Sequence, residues 1–338
     1  MLHDEHAGSV TDEDAEDQNG LADDDRLRVA DAAELYYLRG LKVEDVGKRL
    51  HLSRSTVSRM LAKARQHGVV EFVMHRSADR SSLLAARLGQ RFGVRAVVAD
   101  VPDDDDGRDA ARLDLVARQA AQRLIAVVGT DTTVAVAWGS TVEAVSRHLL
   151  VSPVRGARVV QLNGSGNTVA SGVLNASQLL DRFAQAFSAS THHFPAPALF
   201  DSAATREAMW EERSIQRVLA LRRSADVAVF SVGALDGEAP GHLYRTGYLD
   251  AVDLQELRRQ GVVGDIGTVF MREDGSSDGL AVNERSTGMP LAEFRRIRTR
   301  MLVVSGRTKS IAVAAALRAG AVTDLVLDEL TAHALLDV

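Results

Sequence analysis

The spacing of apolar positions changes character twice along the chain. Up to about residue 25 large apolar side chains are almost absent, so this stretch cannot bury enough surface to offset the entropy of ordering and is expected to be a disordered acidic tail. From Leu27 the spacing becomes helical. Leu27, Ala30, Leu35 and Leu38 predict a first helix with one apolar face, stopped by Gly40. Val43, Val46 and Leu50 follow at i, i+3 and i+7 of a second helix, with Gly47 where a neighbour must come close. After the turn His51-Leu52, Ser53 is an N-cap for a third helix running to about Gln66, with Val57, Met60, Leu61 and Ala64 facing inward. His51 stands where glycine is usual, but histidine tolerates the left-handed conformation better than most residues. Val69 to Met74 then reads as a short strand that could form a wing.

The second change comes after a helical segment, Ser81 to Arg91, that reads as a linker. Apolar runs at 94–100, 133–138, 158–162, 226–230, 301–305 and 324–327 alternate with helical stretches, among them one near 109–127 and one from Thr141. Strands of this kind separated by helices predict an α/β fold whose mainly parallel sheet is doubly wound. Such sheets bind ligands at the carboxyl ends of their strands. The expected organisation is a tail at 1–25, a winged helix-turn-helix at 26–76, a linker helix at 77–92 and a large α/β domain at 93–338.

The net charge of −6 argues against a nucleic-acid partner until it is resolved by region. Residues 1–25 hold ten acids and no Lys or Arg, and residues 26–76 hold eleven Lys/Arg against five acids. Those regions carry −10 and +6, which leaves −2 for the rest. Basic charge is therefore concentrated in the helix-turn-helix, as double-stranded DNA binding requires. Cysteine is absent, which excludes disulfides, Cys-based zinc sites and thiol nucleophiles. With no signal peptide and no apolar run of about 18 residues, the chain is expected to be cytoplasmic, without a membrane partner.

Two kinds of chemistry then stand out. Arg54, Ser55, Ser58, Arg59 and Lys63 share the outward face of the third helix with Ala62. Such a helix fits the major groove, where Arg and Ser read base edges while flanking cations hold phosphates. Lys42, Ser53 and Thr56 complete this candidate DNA surface. Elsewhere, small-residue loops follow three strands: Gly139-Ser140-Thr141 after Trp138, Asn163-Gly164-Ser165-Gly166-Asn167, and Gly306-Arg307-Thr308-Lys309-Ser310. Free N–H groups at a helix start, glycine for close approach and nearby hydroxyls or cations make an anion cradle. The third loop lacks the Walker A spacing, so nucleotide hydrolysis is not indicated. Asp265, in Gly264-Asp265-Ile266-Gly267, could hold sugar hydroxyls or act as a base. His192-His193 has no third ligand at a suitable spacing, so no metal or other cofactor is expected.

The stretch LKVEDVGKRLHLSRSTVSRMLAKARQHGVVEF, followed by VAWGST, VVQLNG, FPAPALFDS, ADVAVFSVGAL, GVVGDIGTVF and SGRTKSIAVAAALRAGAVTDLVLDELTAHALL, resembles the SorC family of sugar-responsive regulators from about residue 27 onward. The resemblance implies a DNA-binding module joined to an effector domain related in fold to glucosamine-phosphate deaminase and ribose-phosphate isomerase. It also implies assembly as a homotetramer and an operator affinity set by a phosphorylated sugar or polyol. By motif, Gly139, Ser140 and Thr141 match the family's phosphate-side loop, Asp265 its GD carboxylate and Lys309 its Gly-rich-loop lysine. Gly306-Arg307 stands where the family more often has paired glycines. No catalytic residues are expected. The alternative is a phosphosugar isomerase or deaminase using Asp265 as base and Lys309 as amine.

Overall fold

Three short helices share one apolar seam in the first of two units, Met1–Arg76 and Ser77–Val338, of this computed structural model. The structure describes residues 23–70, 79–101, 109–165, 176–236, 241–245 and 247–338. In the first unit, α1 (Asp23–Ala33) runs into a wider turn of π-helix at Glu34–Leu38, followed by α2 (Val43–Leu50) and α3 (Arg54–Gln66). Val29, Ala32, Ala33, Val46, Val57, Leu61 and Ala64 form the buried seam.

The apolar face of α1 differs from the one read in the sequence. Leu27 and Leu38 are exposed at 66% and 80%, while Val29, Ala32 and Ala33 point inward. The inward set follows i, i+3, i+4 spacing, and the π turn after Ala33 shifts the angular register of Leu35 and Leu38. The turn between α2 and α3 is as expected. His51 is left-handed at φ 57° and donates its N–H to Gly47 O, and Ser53 Oγ accepts from Thr56 N at 3.1 Å. A Cβ on Gly47 would lie 2.7 Å from Leu52 O, so only glycine lets the turn fold back over α2. Of the strand read at 69–74, residues 71–74 lie outside the described residues.

The second unit opens with α4 (Asp79–Phe92) and alternates β1 (Arg95–Ala99), α5 (Asp109–Val127), β2 (Thr133–Val136), α6 (Ser140–Arg147), β3 (Arg158–Gln161), α7 (Ala176–Phe187) and β4 (Ser190–His192). Helices α8 (Ala203–Trp210) and α9 (Arg213–Arg223) precede β5 (Val227–Phe230), which passes almost directly into β6 (Val232–Ala234). Next come α10 (His242–Arg245), α11 (Ala251–Arg259), β7 (Val262–Ile266), β8 (Val269–Arg272), α12 (Ala281–Arg285) and α13 (Leu291–Phe294). The chain closes with β9 (Thr299–Val304), α14 (Ser310–Arg318), β10 (Asp324–Asp328) and α15 (Glu329–Leu336).

Seven strands form a parallel sheet in the order β1-β10-β9-β5-β2-β3-β4. Alternate side chains serve two cores. Val134, Val136, Val159, Val229, Met301 and Val303 pack with α5, α6 and α7. Phe230, Leu302, Val304, Leu325 and Leu327 pack on the other face with α4, α14 and α15. The sheet is thus doubly wound, as its apolar runs predict. The chain leaves β2 toward β3 through α6 on one face and β9 toward β10 through α14 on the other, which opens a crevice at the carboxyl ends between them.

Two features correct the sequence reading. The segment read as a linker is part of the second unit: Leu84 and Leu88 of α4 are buried in the sheet's core, and Ser81 Oγ bonds Glu329 Oε1 at 2.9 Å. Its apolar residues four apart form a stripe that requires a packing partner. A second, antiparallel sheet, β6-β7-β8, was also missed. Its strands are three to five residues long, and glycines at 233 and 264 interrupt their apolar alternation. Among the described residues no helix is long and apolar enough to cross a membrane.

Gly47→Ala should destabilise the first unit by about 1–3 kcal/mol, because main chain rather than a flexible side chain must yield to the new methyl. Urea unfolding followed by helical circular dichroism measures this, and unchanged stability would contradict the close approach.

Candidate functional site

Four parallel strands and the small sheet deliver polar residues to one cavity of about 80 Å³. Gly139, Ser140 and Thr141 reach it from the end of β2, Asn163 from β3, Ser231 from β5, and Lys309 from the turn after β9. Gly233 and Asp265 come from the antiparallel strands β6 and β7, with Gly267 and Thr268 from the turn after β7. The expected residues Gly139, Ser140, Thr141, Asn163, Asp265 and Lys309 therefore meet. Ser231, Gly233 and Thr268 were missed.

Gly139 N-caps α6 at φ 147°, a conformation that favours glycine. The first-turn N–H groups of α6 have no acceptor within the helix. Thr141 is buried and Ser140 exposed, and both line the cavity.

Asp265 is buried, and it sits inside an antiparallel strand rather than at a parallel strand end. Its Oδ1 accepts from Tyr244 Oη at 2.9 Å and its Oδ2 from Thr268 N at 3.0 Å. Thr268 donates from a left-handed conformation, φ 70°, a strain of order 1–3 kcal/mol that clusters at functional sites. A Cβ on Gly233 would stand 2.1 Å from Asp265 Oδ1, which explains glycine there. Burial pushes the Asp265 carboxyl above its ordinary range, partly offset by the Thr268 and Tyr244 hydrogen bonds and the Lys309 charge. Burial, with the Asp265 charge, also pushes the Tyr244 phenol well up, so at neutral pH that phenol stays a donor.

Two buried polar atoms of the cavity residues lack partners: Asn163 Oδ1, on a side chain 1% exposed, and Ser231 Oγ. A buried acceptor without a partner costs about 1–3 kcal/mol, a penalty that a ligand donor would remove.

The remaining loop residues do other work. Gly164 donates its N–H to Thr287 Oγ1 at 3.0 Å and accepts from Trp138 Nε1 at 2.7 Å. Its close approach to Ala196 and Pro197 carbonyls leaves no room for a Cβ. Gly306 donates its N–H to Thr331 Oγ1 at 2.9 Å and Asp328 Oδ2 at 3.2 Å, so that amide is already used. Arg307 is exposed and does not line the cavity. These three, expected to touch an effector, are not among the residues that line the cavity. Gly166 and Asn167 lie outside the described residues. No metal-binding group of His, Cys, Asp or Glu occurs among the described residues. His192 ends the edge strand β4 and His193 follows it; partial burial and the Arg158 charge lower the His192 pKa.

In the first unit, Ser53, Arg54, Ser55, Ser58, Arg59 and Lys63 are exposed along one face of α3, Thr56 is half-buried and Lys42 is exposed at the start of α2. Ser53 Oγ also contacts Ser55 Oγ at 2.9 Å and Thr56 Oγ1 at 2.7 Å, which makes Ser53 and Thr56 first of all capping residues. Arg54 Nη1 pairs with Glu44 Oε1 at 3.3 Å, an exposed contact weak enough to exchange for a DNA phosphate.

The family model described as "Putative sugar-binding domain" matches residues 77–337. The transcriptional regulator LsrR of Klebsiella pneumoniae is 31% identical over 94% of this chain and 95% of its own length. A domain of a possible sugar-binding transcriptional regulator from Arthrobacter aurescens TC1 is 44% identical, with a TM-score of 0.73 over 78% of this chain and 99% of that one. The full-length sorbitol operon regulator SorC from Klebsiella pneumoniae, 23% identical, shares the fold over 94% of this chain and all of its own, with a TM-score of 0.80.

A helix-turn-helix joined to a sugar-binding domain defines a ligand-responsive, DNA-binding transcriptional regulator. The chain belongs to the SorC family of sugar-binding transcriptional regulators. It is a regulator and not the phosphosugar isomerase or deaminase weighed as the alternative.

A carboxyl raised in the folded state gives stability that is complete below its unfolded value and is lost as pH rises through the folded one. Wild type should therefore lose stability relative to Asp265→Asn as pH rises above the ordinary aspartate value of about 4. Urea midpoints across that range measure it, and parallel pH profiles would contradict the raised carboxyl.

Proposed function

We propose that this regulator binds a phosphorylated sugar or polyol in the cavity, and that binding changes the affinity of α3 for a double-stranded DNA operator. The observation that carries the reading is the pair of unpartnered buried atoms, Asn163 Oδ1 and Ser231 Oγ, among residues that also include Asp265 and Lys309. Asn163 Oδ1 and Asp265 accept hydrogen bonds and suit ligand hydroxyls. The amides of Ser140 and Thr141 at the start of α6, with the Lys309 ammonium, suit a phosphate. One ligand carrying hydroxyls at one end and an anion at the other satisfies both ends.

The cavity, about 80 Å³, is smaller than the roughly 300 Å³ at the low end of small-molecule sites. A whole sugar phosphate therefore enters with a shift of lining side chains, and that shift is the structural change an effector would impose. We assign DNA contacts to Lys42, Arg54, Ser55, Ser58, Arg59 and Lys63, with Ser53 and Thr56 capping the helix that carries them. The effector site is assigned to the second unit, the protein to the cytoplasm and the assembly to a homotetramer, in which ligand-dependent packing would reset the spacing of paired recognition helices.

Lys309→Ala should weaken binding of D-ribose 5-phosphate or D-fructose 6-phosphate at least tenfold by calorimetry and leave operator affinity unchanged. Equal sugar-phosphate affinity in the variant would overturn the assignment. Arg59→Ala should have the opposite profile: operator binding falls by about 1–3 kcal/mol if the side chain reads a base, or loses about one unit of salt slope if it holds a phosphate. An unaffected gel shift would remove Arg59 from the interface.

A further inference from the structure

Arg222 is a buried cation with no part in the contacts described so far. It lies at the end of α9, just before β5, and is 2% exposed. Among the described residues no carboxylate pairs with it: Glu293, the acid whose field reaches it, is bonded to Arg223 Nε at 2.9 Å. Its Nη1 instead donates to two main-chain carbonyls, Leu162 O at 2.9 Å and Thr287 O at 2.6 Å. The guanidinium lies 5.2 Å from the Phe194 ring centre, and its Nε has no partner.

Those two carbonyls belong to the segments that meet around Asn163. Thr287 Oγ1 accepts from Gly164 N at 3.0 Å and donates to Ala198 O at 2.9 Å. Gln161 Nε2 donates to Asn163 O at 2.8 Å, while Gln161 Oε1 accepts from Phe194 N at 3.1 Å. The main chain is thus pinned at Leu162 O, Asn163 O and Gly164 N, immediately before, at and after the residue whose side-chain oxygen lacks a partner. Burial lowers the Arg222 pKa to about 10, so the group remains a cation at neutral pH. A buried charge without a counter-ion is costly, and an apolar side chain of similar volume often fills such a space at less cost. Arginine offers rigidly oriented donors that such a side chain lacks.

We infer that Arg222 is a positioning residue for the effector site: by tying Leu162 O to Thr287 O it fixes the end of β3 so that Asn163 meets the ligand. This rests on the effector reading for the ligand, but the clamp itself can be read without one. In full-length Arg222→Met, hydrogen exchange should quicken at least tenfold at amides 162–165 and stay unchanged in β2 and α6. Arg222→Lys, which keeps charge and donors, should restore part of the protection and carries the same measurements if the Met variant does not fold. Binding of D-ribose 5-phosphate or D-fructose 6-phosphate should weaken at least tenfold in Arg222→Met and in Asn163→Ala. The double variant should be no worse than the weaker single, because the first change acts through the second residue. Exchange that is unaltered at 162–165, or raised uniformly across the unit, overturns the inference, as do effects that multiply in the double variant. If wild type binds neither sugar phosphate, the effector reading fails and the exchange pattern alone decides the role of Arg222.

Discussion

The second unit depends on satisfying polar groups buried at the carboxyl end of its parallel sheet. Asp265 is the centre of that problem. Its carboxylate is held by a phenol and a main-chain N–H, and three other local features follow from that arrangement. Position 233 has no side chain because the carboxylate occupies the space, Thr268 adopts a left-handed conformation to present its N–H, and the small antiparallel sheet brings Asp265 to ends of the large one. Among the residues that line the cavity, Asn163 Oδ1 and Ser231 Oγ have no partner among the described residues, and the effector reading begins there.

The DNA-reading unit obeys a different constraint. Its seam of seven buried apolar side chains is small, so the turn between α2 and α3 has to be tight. Gly47 and the left-handed His51 make it so, and Ser53 caps the helix that follows. Those features fix α3 internally while leaving its cationic face exposed. That division suits the proposed function, in which a ligand acts through the placement of α3 without disturbing its exposed face. By linkage, a ligand changes operator affinity only as far as it binds the DNA-competent and DNA-free arrangements differently.

Much of this was legible in the sequence wherever one strong local rule governs. Six of the seven strands of the large sheet are apolar runs bounded by turns, and Ser53, His51 and Gly47 each mark the helix-turn-helix by a local requirement; the seventh, the edge strand β4, is the polar Ser190–His192 and carries no such pattern. The face of α1 was not legible, because a π turn after Ala33 breaks the periodicity on which the reading depends. Strands β6, β7 and β8 were missed because glycines 233 and 264 interrupt their alternation. At the site, Gly139, Asn163, Asp265 and Lys309 announce themselves by loop chemistry, whereas Ser231 and Tyr244 are ordinary residues whose roles arise from long-range packing. The use of the Gly306 N–H is likewise set at long range: it donates to Thr331 and Asp328, more than twenty residues further on.

In the proposed function, occupation of the cavity changes operator affinity. The most direct measurement is the operator dissociation constant of the full-length protein, at one salt concentration, with and without saturating D-ribose 5-phosphate or D-fructose 6-phosphate. The operator constant should change by about fivefold or more, with the same factor in sugar-phosphate affinity when operator is present. Tight sugar-phosphate binding that leaves operator affinity unchanged would contradict it.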